Sequence, residues 1–354
     1  MLLSLAAFLV VFGVVVLVHE WGHFMAARQA GVEVEEFGIG YPPRVKTLAV
    51  RNGVEYTLNA IPLGGFVRLK GEGDLEVEGG FASQGAWVRI RTLLAGPVMN
   101  LVLAAILLSL AYAVGDRVVV GRVVVESVAA GSPADQAGIR AGDIILAVGG
   151  REAKNTVELA EEASRLRGQE TDVALQRGDE RLTVRLTPRT SPPPGEGAMG
   201  VSIAMEEGYG WETVRRPLWE AVPLGLRQVW LVLGMTLSGF AQMLRVGIKP
   251  GDVAGPVGIF QMSGVVAQTG AANLLRFIAV LSVNLFIFNL LPLPPLDGGR
   301  IAFILLEKLR GGKRFEPQQE GLVNLVGLML LLMLMLVFSY FDVQRLFGGA
   351  QSMP

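Results

Sequence analysis

Apolar residues run almost without interruption over residues 2–18, and the run resumes in Phe24-Met25-Ala26-Ala27 after a short polar cluster. About 20 apolar residues cross a bilayer, so residues 1–28 are predicted to form a transmembrane helix. A second apolar run covers 101–114, opened by Gly96-Pro97-Val98-Met99-Asn100. Pro97 suits a first helical turn, which predicts a span over 93–115. A third run, 274–291, holds Asn284 and Asn289 and ends in prolines that break a helix. It predicts a span over 274–296. A loop or helix over 297–320 leads to a fourth span at 321–341 and a tail at 342–354. Residues 224–235 are apolar too, but carry Arg227 and Gln228, with Gln242 and Arg245 beyond. That pattern favours a helix lying at the membrane interface, so 191–273 reads as a linker and interfacial region. The fold expected is a polytopic α-helical membrane protein of about four spans.

Two stretches change period. Between the first two spans, 45–51 and 54–60 flank Asn52-Gly53, a strong hairpin signal. Residues 61–69 add a further strand, giving a β region over 29–92. It is either an ordinary loop hairpin or a sheet edge to which an extended peptide adds. Residues 116–190 are charged and read as an α+β domain. Strands fall at 118–125, 144–148, 171–177 and 181–187. A one-turn helix follows Ser132-Pro133, and a longer one covers about 156–167. The string GSPADQAGIRAGDIILAVGG resembles the bacterial type of PDZ domain, with a loop order that looks circularly permuted. That resemblance implies an inserted module that binds chain ends by strand addition, or a steric plug.

Composition supports the membrane reading: the 354 residues are 51% hydrophobic and the mean hydropathy is +0.47. The net charge of -1 gives no basic field for nucleic acid. There is no cysteine, so a metal site must draw on histidine and carboxylate. Both histidines of the chain sit in His19-Glu20-Trp21-Gly22-His23. Four residues apart on a helix, His19 and His23 share a face, and Glu20 stands beside them. This is the pattern of a zinc hydrolase, with two imidazole ligands and a carboxylate that takes a proton from the attacking water. It lies inside an apolar segment, where ionisable groups are costly and functional. No basic residue precedes the segment and Arg28 follows it, unlike a signal peptide. Asp297, in Pro292-Leu293-Pro294-Pro295-Leu296-Asp297-Gly298-Gly299, is the candidate third ligand; its plainer reading is the N-cap of a helix over 298–309. Asn100, polar within the second span, is either a helix–helix hydrogen-bonding group or a neighbour of the active site.

HEWGH in the first span, AGPVMN at the second, the inserted PDZ-like segment, GPVGI at 255–259 and NLLPLPPLDGG in the third together resemble the site-2 protease family. That family comprises intramembrane zinc metalloproteases, and the nearest type is the bacterial regulator-of-sigma-E protease. The likeness runs from about residue 10 to residue 345. It implies Zn²⁺ held by His19, His23 and Asp297, with Glu20 as catalytic acid and base. It also implies substrate binding by Asn289 with Pro292 and Pro294, and Asn100 is grouped with these as a candidate substrate contact. The β region resembles the family's membrane-re-entrant element, whose turn here is Gly38-Ile39-Gly40. One PDZ-like segment stands where the best-known members have two.

The implied substrates are single-span membrane proteins, such as an anti-sigma factor already trimmed outside the membrane, or signal-peptide remnants. Two rivals are a membrane-anchored zinc protease acting on soluble or unfolded chains, and a PDZ-bearing scaffold without activity. Basic residues fall between the first two spans and between the last two. By the positive-inside rule this predicts a multi-pass protein of the cytoplasmic membrane, with the PDZ-like domain outside and the metal site near the cytoplasmic face.

Overall fold

The computed structural model describes residues 2–348, apart from 75, 194, 207–209, 248–253, 313–314 and 316. The chain divides into two compact units. One comprises residues 1–114 and 215–354; the other, 115–214, is inserted between them.

The first unit opens with α1 (Leu2–Gln29), which carries both histidines. Two long strands follow, β1 (Val34–Arg51) and β2 (Val54–Leu69). They turn at Asn52 and Gly53, both with positive φ. This ribbon folds back on itself. Residues 36–39 pair with 55–58 on one side and with 65–68 on the other, while 44–51 pair with 54–59. The result is a small four-ply sheet with 44–51 and 65–69 at its edges. Gly40 has φ +79, and a Cβ there would strike the Ile61 carbonyl, so this turn depends on glycine. Phe24, Phe37, Val54, Leu69, Phe81, Ile90 and Ile304 form the core beneath the sheet.

Helix α2 (Ala86–Val114) starts well before Pro97, which lies in its interior. The sequence pattern places that proline in the first turn. The helix starts earlier because Ile90 and Leu93 are buried in the core under the sheet; that packing outweighs the loss of one backbone donor at Pro97.

The inserted unit enters through β3 (Asp116–Val120) and leaves through β10 (Gly210–Val214), which pair antiparallel. Its body is a sheet ordered β8-β7-β5-β4-β9, with β6 off β5. The strands are β4 (Val123–Val128), β5 (Ile144–Val148), β6 (Arg151–Glu152), β7 (Thr171–Arg177), β8 (Glu180–Leu186) and β9 (Val201–Met205). Two helices cover it: α3 (Pro133–Gln136), capped by the Ser132 side chain, and α4 (Thr156–Arg165), capped by Asn155. Val123, Val125, Ile145, Leu159, Val173 and Leu175 make its core. The unit is longer than the predicted 116–190. The proline-rich stretch after Arg189 is a loop inside the unit, not its exit. After it, β9 pairs with β4 and becomes the sheet's edge.

Helix α5 (Leu218–Val246) replaces the expected interfacial segment. It is long and apolar enough to cross a membrane, as are α1, α2, α7 (Ala271–Leu290) and α9 (Pro317–Gly348), so the described residues hold five such helices rather than four. Val229, Val232 and Leu233 pack with Val11, Ala104, Leu108, Ala279 and Val283 in one core, which a surface-lying helix would not reach. Along its course α5 first meets Ser109 at Gly225. Thr236 then donates to Asn284 (3.0 Å), and Phe240 meets Phe288 with ring centroids 5.2 Å apart.

The GPVGI stretch opens α6 (Pro256–Gln268). The Gly258 N–H donates to Asp342 of α9 (2.8 Å), Phe260 lies against Phe8, and Gly264 closes on Ser4 of α1. Helix α8 (Asp297–Leu309) follows the proline-rich loop.

Candidate metal centre

Three side chains from two parts of the chain converge. His19 Nε2 lies 3.2 Å from Asp297 Oδ2, His23 Nε2 lies 3.4 Å from the same oxygen, and the two Nε2 atoms are 3.1 Å apart. All three residues are largely buried. Zinc bonds of about 2.0–2.1 Å in a tetrahedron place neighbouring ligand atoms about 3.3 Å apart, which matches this triangle. Asp297 Oδ2 has no hydrogen-bond partner although it is buried. Two bare imidazole nitrogens and an unpartnered carboxylate oxygen facing one another form a donor set that a divalent cation satisfies. Among the described residues this is the one cluster of metal-ligating groups.

Local folding explains each placement. His19 and His23 are one helical turn apart on the buried face of α1. Asp297 is the first residue of α8, whose N-cap is Leu296 without a side-chain bond. The N-cap role open to Asp297 from sequence is therefore not the one it plays. The turn that delivers Asp297 is tight. A Cβ on Gly298 would overlap the carbonyls of Leu290 and Leu291, and one on Gly299 would overlap Leu293 and Pro294. Gly327 of α9 packs against the Pro294 carbonyl with no room for a side chain.

Helix α2 supplies the wall behind the imidazoles. His23 Nδ1 donates to the Thr92 carbonyl (2.8 Å), which fixes the ring and leaves Nε2 bare. Gly96 sits between the rings: a Cβ there would collide with His23 Nε2 and crowd His19. Gly22, inside the HEWGH motif, has the same relation to the backbone of Ala95 and Gly96. Thr92 and Gly96 were not singled out from sequence as site residues. Thr92, Gly96 and Asn100 follow one another at steps of four, which is a signal only once a partner helix is known to lie there.

Glu20 points to the sheet. Gly65 of β2 lies beside its Cγ. Residues 65–69 are an edge of the sheet, so a free strand edge borders the carboxylate. Asn289 is half-buried in the last turn of α7, and the exposed Pro292 and Leu293 follow it. Asn100, grouped from sequence with the substrate contacts, is fully buried. Its amide lies 3.2 Å from His19 Nδ1, on the far side of the ring from Asp297.

The family model for peptidase family M50 matches residues 7–334. The chain belongs to this family. It is similar to the zinc metalloprotease RasP of Oceanobacillus iheyensis, at 29% identity over 97% of this chain and 99% of that protein. It is similar also to the regulator of sigma-W protease RasP of Bacillus subtilis, at 28% identity with the same coverage. A solved PDZ domain of an SdrC-like protein from Listeria monocytogenes matches 23% of this chain and 86% of its own length, at 22% identity with a TM-score of 0.21. This M50 member is thus a zinc metalloprotease of the site-2 type, with an α+β unit inserted between helices long and apolar enough to cross a membrane.

Proposed function

We propose that this metalloprotease cuts peptide bonds within or beside the transmembrane segment of single-span membrane proteins. His19, His23 and Asp297 hold the zinc, and Glu20 is the catalytic acid and base. The observation that carries this reading is the convergence of Asp297 on two histidines of a helix long and apolar enough to cross a membrane. When bound, Zn²⁺ supplies Lewis acidity that favours ionisation of a water and polarises a carbonyl. Glu20 accepts the proton from the attacking water and returns it to the leaving amine.

A helical substrate keeps its carbonyls in its own hydrogen bonds and must unwind before it is cut. The free edge at 65–69 supports such an extended chain by strand addition, and Asn289, Pro292 and Pro294, in the stretch that leads to Asp297, are the further substrate contacts in this reading. The PDZ-like unit offers a second edge, β9, to a chain end.

Arg28, Arg44, Lys46, Arg51, Arg68, Lys70, Arg89 and Arg91 precede or open α2, and Arg300, Lys308 and Arg310 belong to α8 and its end. Lys313 and Arg314, also counted in that bias, lie outside the described residues. The positive-inside rule puts both groups in the cytoplasm, and the metal centre near that face of the inner membrane.

Two variants test the roles. Glu20→Gln should abolish cleavage of a single-span substrate in proteoliposomes yet keep zinc. Asp297→Ala should lose both. A Glu20→Gln protein that loses its zinc, or an Asp297→Ala protein that stays fully loaded, contradicts the assignment. Equal turnover of an unfolded soluble chain and a membrane-embedded one would favour a membrane-anchored protease of broader reach.

A further inference from the structure

Neutral imidazole has one N–H and one bare nitrogen. His19 presents Nε2 to His23 and Asp297, so as a ligand it must carry its proton on Nδ1. The group facing Nδ1 is the Asn100 amide at 3.2 Å. With Nδ2 nearest, a donor would meet a donor, and Asn100 Oδ1 would be buried without a partner. A half-turn of the amide exchanges Oδ1 and Nδ2 at the same positions. It gives Nδ1–H an acceptor and the oxygen a donor, while the amide nitrogen takes the unpartnered position.

We propose that Asn100 is a positioning residue: its side-chain carbonyl accepts the His19 Nδ1–H and holds Nε2 bare toward the metal. The inference rests on the ligand set proposed above. It parallels the bond from His23 Nδ1 to the Thr92 carbonyl, so α2 provides an acceptor for each imidazole, with Gly96 as the gap between them. Asn100 is itself fixed in place. It is completely buried, and Ser282 of α7 donates to its backbone carbonyl (2.8 Å). The amide therefore stands where α1, α2 and α7 meet and has little freedom to turn away.

The chain has only two histidines, so ¹⁵N-histidine labelling of the full-length, zinc-loaded protein in bilayers gives a two-residue solid-state NMR spectrum. Both rings should be protonated at Nδ1, with the His19 Nδ1–H correlated to the Asn100 side-chain carbonyl. A His19 ring protonated at Nε2 overturns the proposal. Zinc retention against a chelator gives a second readout. Asn100→Leu keeps the bulk but has no acceptor, and affinity should fall roughly 10–100-fold. Asn100→Asp keeps an acceptor and should stay within about threefold of the parent on the same scale. If Asn100→Leu binds zinc like the parent, or Asn100→Asp loses as much as Asn100→Leu, the role is refuted. If neither variant folds, the parent spectrum decides alone. Failure of the ligand set looks different: His19→Ala would then keep its zinc.

Discussion

Gly96 decides how closely α2 can approach the two imidazoles. Its missing side chain is filled by His23 Nε2 and the edge of His19, so a methyl group there displaces ligand atoms rather than compressible apolar neighbours. Overpacking costs about 1–3 kcal/mol in an ordinary core, and at this position the strain falls on the metal triangle. Gly96→Ala should therefore shed zinc to a chelator faster than the parent and lose cleavage with it. Gly13→Ala, in α1 where no atom lies within 4 Å of the added carbon, should change neither. Equal zinc retention by the two variants would show that α2 yields and that the glycine is incidental. The contrast also marks what the sequence can reveal of such a site. In the proposed roles, His19, Glu20, His23 and Asp297 work through side chains whose chemistry is scarce in an apolar chain, so their residue types point to them. Thr92 acts through a carbonyl that every residue has, and Gly96 through an absence; neither is visible until α1 and α2 are side by side.

At the level of elements, α5 and α6 carry the largest departure from the sequence pattern. Arg227, Gln228, Gln242 and Arg245 suggest a helix that stays at the surface. Hydropathy alone does not show that a helix with polar residues still buries Val229, Val232 and Leu233 against α2 and α7. The strand β9 was missed for a related reason: five residues after a proline-rich loop declare themselves only by pairing with β4. Helix α5 begins near Ser109, toward the end of α2, and reaches Phe288, one residue before Asn289. Helix α6 then returns the chain to Ser4, about 22 Å along α1 from His19 at 1.5 Å per residue. Its 13 residues extend about 20 Å, too short to cross a core of about 30 Å. We expect α5 and α6 to enter and leave on one side. Five full crossings would instead separate the two basic groups. The natural chain has no cysteine, so single cysteines report side directly. Cysteines at Gly115 and Gly270 should react with an impermeant maleimide from outside, and those at Gly53 and Gly312 only after permeabilisation. Labelling of Gly312 from outside and of Gly270 only from inside would establish a fifth crossing.

For the whole molecule, the question is how much of the enzyme the inserted unit contributes. Every residue of the metal centre lies in 1–114 or 215–354, and the inserted unit has a hydrophobic core of its own. Its entry and exit strands pair along their length, from Asp116 with Val214 to Val120 with Gly210. Within the membrane unit the Arg216 N–H donates to the Tyr112 carbonyl (3.1 Å), so the ends of that unit already meet. Replacing residues 115–214 by a short glycine-serine linker should leave that junction, the zinc content and the cleavage of a substrate already trimmed outside the membrane close to those of the intact enzyme. On the proposal that the edge strand β9 takes up free chain ends, the excision should also remove discrimination and raise cleavage of the untrimmed precursor. Both substrates, compared in the same proteoliposomes with zinc measured in parallel, separate the outcomes. A zinc-loaded, folded deletion protein that cuts neither substrate would make the inserted unit part of the catalytic apparatus. One that cuts the trimmed substrate alone, at the intact rate, would leave selection to the membrane unit itself.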